Sequence, residues 1–146
     1  MQKTPNRTFR RRGALLAFAG LLLGTAAATA GETGKIDVEL NSLSQSAKGC
    51  EVSFVMRNGF ETAIDALTFE IVLFDDDGRI ASLLNLKAGD LPVGKTRVKQ
   101  FRLAKCERVS RILINDVSEC SGTDLTPKAC LQKLNVTNRT GVKFGL

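Results

Sequence analysis

The sequence predicts an all-β fold, an antiparallel β-sandwich of about seven strands, preceded by a cleavable signal peptide. Three observations predict it. Apolar and polar residues alternate with period two through most of the chain after residue 35. Turn residues punctuate that alternation about every ten positions. No stretch carries a sustained helical period.

Each element follows from its own pattern. In Lys35–Leu43, Ile36, Val38 and Leu40 alternate with Asp37, Glu39 and Asn41. In Cys50–Asn58, Cys50, Val52, Phe54 and Met56 face one way and Glu51, Ser53 and Arg57 the other, and Asn58-Gly59 marks the strand end. In Ala66–Phe74, Leu67, Phe69, Ile71 and Leu73 form one face. The second face turns apolar at Val72 and Phe74, so this strand ends buried on both sides. Residues 62–74 have some helical character, but their β-branched and Phe content favours strand.

Asp75-Asp76-Asp77-Gly78 supplies the turn chemistry of a tight hairpin. Arg79–Leu86 resumes the strand pattern with Ile80, Leu84 and Leu86. Ala88–Lys95 is a loop, because Pro92 cannot donate to a central ladder. In Thr96–Leu103 the offset between Val98 and Phe101/Leu103 predicts a bulge. Val109–Val117 centres on Ile112, Leu113 and Ile114, with Asn115-Asp116 marking its end. Leu131–Val136 is expected to add a short helix or strand, and Val142–Leu146 a terminal strand.

The first thirty residues read as an address. Lys3, Arg7, Arg10, Arg11 and Arg12 precede the apolar stretch GALLAFAGLLLGTAAA, which ends at Ala28-Thr29-Ala30. A basic start, a short apolar core and a small-x-small site make a secretory signal peptide, cleaved after Ala30. A membrane span needs about 20 apolar residues, more than this core has. Arg10-Arg11-Arg12 resembles a bacterial twin-arginine signal, although Gly13-Ala14-Leu15 follows it. The expected organisation is a signal at 1–30, a flexible N-terminus at 31–34 and one sandwich domain at 35–146, located in the periplasm with no integral membrane span after cleavage.

Composition then excludes several function classes. The whole chain is +6, with 21 basic and 15 acidic residues. Removing the five signal cations takes the basic count from 21 to 16 against 15 acids, so the basicity belongs to the address and gives no reason to expect nucleic acid. The chain has no His, Tyr or Trp. That removes the imidazole base, the His metal ligand, both His-dependent nucleophile pairs and any Tyr/Trp stacking platform. No catalytic, cofactor-binding or metal residue is therefore assigned, and no enzyme is expected.

The four cysteines, Cys50, Cys106, Cys120 and Cys130, read as two disulfides in an oxidising compartment. They allow three pairings. The turn-rich segment SGTDLTPKA favours Cys120–Cys130, which leaves Cys50–Cys106. No pair has the C-x-x-C spacing of a zinc ribbon or thioredoxin-like site. If Cys106 were unbridged, Lys105 and Arg108 would activate its thiolate; a disulfide cancels that reading.

Residues Asn58-Gly59, Leu67 to Asp75, Gly78-Arg79, Leu91-Pro92-Val93-Gly94-Lys95 and Phe101 resemble the immunoglobulin-like modules of the FxLYD type found in bacterial exported proteins. Phe74-Asp75 stands where that family has Tyr-Asp. Through Cys50 to Phe54, Arg111 to Val117 and Cys120 to Cys130, the whole chain resembles small bacterial exported proteins with a Tat-type signal. The resemblance implies a fold and a compartment, and it transfers no catalytic residue.

Three further patterns bear on function. Asp75, Asp76 and Asp77 would suit a hard cation, but an EF-hand counted from Asp75 would need Gly where Ile80 stands and Glu where Leu86 stands, so a solvated turn is favoured. Gly89, Gly94, Lys95 and Thr96 satisfy the letters of a P-loop, without the helix that must follow. Lys95, Arg97, Lys99, Arg102, Lys105, Arg108 and Arg111 form a basic stretch with one acid, Glu107. A solubilising edge strand explains it best. The functional expectation is accordingly a non-catalytic binding or adaptor module acting on a periplasmic or envelope protein. The alternative is electrostatic association with anionic lipid or polysaccharide through Lys95–Arg111.

Overall fold

The computed structural model describes residues 33–46, 49–104 and 108–146. Among these residues eight strands and one short helix form two facing sheets. The strands are β1 (Ile36–Ser46), β2 (Gly49–Asn58), β3 (Ala66–Asp75), β4 (Ile80–Lys87), β5 (Thr96–Leu103), β6 (Val109–Ser121), β7 (Leu134–Asn138) and β8 (Lys143–Gly145). Helix α1 (Pro127–Gln132) lies between β6 and β7. The first sheet has the order β5-β2-β1-β7 and the second β4-β3-β6-β8.

The path is the expected immunoglobulin-like one. Hairpins β1β2 and β3β4 lie in opposite sheets. β5 then returns beside β2, and β6 beside β3. The C-terminus adds something the alternation did not reveal. β7 pairs in parallel with β1, from Ile36↔Leu134 to Leu40↔Asn138, and β8 pairs in parallel with β6. Each sheet is therefore antiparallel except for one short parallel edge strand.

The inward faces make the core. Val38 and Leu40 of β1 and Val52, Phe54 and Met56 of β2 are buried opposite Leu67, Phe69, Ile71 and Leu73 of β3 and Ile112 and Ile114 of β6. Each fully buried side chain of this size contributes about 1.5–3 kcal/mol of transfer free energy. Phe144 of β8 crosses the gap and meets Phe54 with ring centroids 5.8 Å apart. β3 is buried on both sides at Val72, which is 4% exposed, as its sequence predicts; its start is covered too, with Thr68 5% exposed, while Phe74 near its end is half-buried.

Several local expectations are corrected. β5 has no bulge. Its register with β2 runs unbroken from Cys50↔Leu103 to Arg57↔Thr96, and Val98 simply faces outward with an exposure of 67%. The bulges fall instead in β1 at Leu40/Ser42, between β3 and β4, and at three places between β3 and β6. Asn115-Asp116 do not end β6, which continues to Ser121. They sit where its register with β3 shifts, a place where polar residues are tolerated because the ladder is already interrupted. Of the expected flexible stretch 31–34, residues 33 and 34 are described; they form a turn in which the Gly34 amide donates to the Gly59 carbonyl at 2.7 Å. The signal peptide and its cleavage site lie outside the described residues.

Cys120 and Cys130 form a disulfide that ties the end of β6 to α1. Helix α1 is capped by Thr126, whose hydroxyl accepts from the Ala129 amide at 3.2 Å, and Pro127 suits the first helical position. Cys50 is disulfide-bonded as expected; its expected partner Cys106 lies outside the described residues. Among the described residues no helix is long and apolar enough to cross a membrane.

Candidate interaction surface

The two outer faces of the sandwich differ in chemistry. On the β5-β2-β1-β7 sheet, polar side chains satisfy one another. Asn135 donates to Asp37 at 2.8 Å. Glu39 accepts from Asn41 and from Arg139, both at 2.8 Å. Glu51 accepts from Gln100 at 2.9 Å and pairs with Arg102 at 3.4 Å. The carboxyl of Glu39 is held below its ordinary value, first by the Asn41 hydrogen bond and then by Arg139.

The β4-β3-β6-β8 sheet is different. Register places Leu83, Val72 and Leu113 in one outward row, followed by Gly145. The next row holds Ile80, Phe74, Arg111 and Lys143. Ile80 and Leu83 are 66% and 58% exposed. Phe74 and Leu113 are half-buried and surround the buried Val72. Polar residues flank this strip: Asn85, Glu70 and Asn115 on one side, the Asp75–Gly78 turn on the other. An apolar strip with a polar rim is the usual anatomy of an interaction surface.

At the turn end, Phe74, Asp76, Gly78, Ser110, Arg111 and Lys143 line a cleft of about 350 Å³. The Arg111 guanidinium stacks on the Phe74 ring, 3.8 Å from its centroid. The Ser110 hydroxyl donates to the Asp75 carbonyl, which fixes the floor of the cleft.

The residues singled out from the sequence are distributed as follows. Asp75 is committed to the turn: its carboxylate accepts from the Asp77 and Arg79 amides at 3.0 and 2.8 Å, and Gly78 takes φ +75°. The Gly89–Thr96 segment runs directly into β5, so no helix follows the P-loop-like letters. The basic stretch does not form one face. Lys95 lies in the turn before β5, Arg97 pairs with Asp90 at 2.8 Å and Arg102 pairs with Glu51. Lys105 lies outside the described residues, and Arg111 belongs to the opposite sheet. Leu83 and Lys143 were not singled out. Leu83-Leu84 carried a usable signal, since two adjacent apolar residues in a strand must face opposite sides. Lys143 carried none, because its neighbour Arg111 is set by a parallel pairing with no local signature.

No protein-family model matches the sequence, and no curated protein matches it. Among solved structures the chain is similar to IrmA from Escherichia coli, at 14% sequence identity and a TM-score of 0.56, covering 73% of this chain and 93% of that one. The likeness shows the sandwich fold.

Proposed function

We propose that the chain is an exported, non-catalytic binding module. It offers the outer face of the β4-β3-β6-β8 sheet to a protein of the bacterial envelope. The observation that carries this reading is the contrast between the two outer faces. One pairs most of its polar groups and exposes Val98 on its edge strand, while the other leaves Ile80 and Leu83 in water around the half-covered Phe74 and Leu113. Burying such a strip contributes roughly 25 cal/mol per Å² of apolar area. In this reading residues 1–30 are the signal, cleavage follows Ala30, the route is twin-arginine and the compartment is the periplasm. The disulfide at Cys120–Cys130 is compatible with that compartment. The electrostatic alternative is less well supported, because Asp90 and Glu51 already neutralise two members of the basic stretch.

The test is capture from envelope extract with three baits of matched fold. Leu83→Asp and Ile80→Asp should lose the partner that the unaltered protein retains. Val98→Asp, equally exposed on the opposite sheet, should keep it. Equal loss in all three, or in none, overturns the assignment of the face. Export is checked separately: Arg11→Lys with Arg12→Lys should hold the protein in the cytoplasm, and the exported form should begin at Gly31.

A further inference from the structure

We infer that the Arg111–Lys143 cleft is a carboxylate site. In it the face described above reads an extended peptide carrying an acidic residue two positions from an apolar one. This inference rests on the proposed use of that face and adds the chemistry of its ligand.

Three observations lead there. First, Arg111 and Lys143 are direct partners in the β6–β8 ladder and point to the same side. Like charges placed opposite each other on a sheet are destabilising, so the fold alone gives no reason to pair them. Second, among the described residues neither cation has a carboxylate within 4 Å. Arg79, Arg97, Arg102 and Arg139 each pair with an acid, while Arg57 and Arg108, like Arg111, do not among the described residues. Asp76 lines the cleft but forms an ion pair with neither. Third, Phe74 covers one face of the Arg111 guanidinium. Stacking orients the planar fork and leaves its N–H edge, which lies in the plane, open to two oxygens of an incoming carboxylate.

The apolar row supplies the rest of the ligand. Val72, with Leu83 and Leu113 beside it, lies two residues along the strand from Phe74. That is roughly 6.6 Å, the same distance that separates side chains i and i+2 of an extended peptide. An acid seated on Arg111 and Lys143 therefore places a Leu, Ile, Val or Phe two residues away over the apolar row. A free phosphate would use the cations and leave that row bare.

The experiment is selection from a display library of random heptapeptides on the full protein with its disulfides intact. A sedimentation arm with phosphatidylglycerol vesicles runs in parallel. The expected result is enrichment of Asp or Glu two positions from a large apolar residue. An enriched peptide should bind at least about tenfold more weakly to Arg111→Gln, and also when its acid is replaced by the amide. Lys143→Gln should weaken it in the same direction, and Arg102→Gln on the other sheet should not. Absence of acidic enrichment overturns the inference, as does enrichment indifferent to both Arg111→Gln and Lys143→Gln. So does Arg111-dependent sedimentation with the vesicles when no peptide is enriched. If Leu83→Asp abolishes capture of the envelope partner while Arg111→Gln leaves it intact, the carboxylate site fails and the binding face stands.

Discussion

Asn58 shows how much one side chain organises. It is fully buried. Its amide donates to the carbonyls of Thr62 and Leu91 at 2.9 and 2.8 Å, and its carbonyl accepts from the Phe60 amide at 2.9 Å. It thereby holds the β2–β3 connection against the loop before β5. Asn58→Asp keeps the shape but replaces the NH2 that donates to both carbonyls by an oxygen facing them. It should cost about 3 kcal/mol or more at neutral pH, measured by urea denaturation. The carboxyl so introduced would be more stable protonated, so the loss should shrink in acid. Glu39 makes the opposite case. Its folded value is lowered by Asn41 and Arg139, so its contribution is complete above its ordinary 4.5 and disappears as pH falls through the lowered value. In Arg139→Gln the Glu39 titration followed by NMR should move upward, and that part of the acid sensitivity should diminish. The sequence marked Asn58 as a strand end. Its three hydrogen bonds were not legible, because two of their partners come from loops whose approach only the folded chain defines.

At the scale of elements, most of the fold was legible in the sequence. Alternation located β1 to β6 within a few residues, and the turn residues Asn58-Gly59, Asp75 to Gly78 and Pro92 fell at strand ends or between strands. The misplaced bulge has a simple cause: Val98 is apolar yet faces outward, so its spacing from Phe101 mimicked a shift of register. β7 and β8 were poorly legible because they are short and pair in parallel with strands remote in sequence. The Cys120–Cys130 bridge was readable, and its effect is testable. Closing a ten-residue separation restricts the unfolded chain by roughly 3 kcal/mol. The double variant Cys120→Ser/Cys130→Ser should lose about that much. Its loss should appear first as faster amide exchange in α1 and β7, the elements that follow the bridge.

For the whole molecule, alternation shows which residues point away from a core, but it does not show which strands adjoin. The candidate surface is therefore a product of topology. Phe74, Arg111 and Lys143 lie on three different strands, and only the order β3-β6-β8 brings them together. The basic stretch shows the complementary effect: residues continuous in sequence are divided between two sheets. Since Leu83 projects from an edge strand into water, Leu83→Asp should alter stability by no more than about 0.5 kcal/mol in chemical denaturation while it removes binding. Val72 lies in the same row but is buried, so Val72→Asp should unfold the protein and cannot serve as a binding probe.

The C-terminal segment carries a consequence for how the molecule is made. β7 completes one sheet and β8 the other, and both follow every other strand in the chain. Neither layer has its full set of strands until these two segments have been synthesised, and the contact between β1 and β7 joins strands from opposite ends of the domain. Such distant pairings make for slow assembly. A nascent chain therefore stays open-sided until β7 and β8 arrive, and a protein arrested before Lys143 would be a substrate for proteases rather than a smaller version of itself.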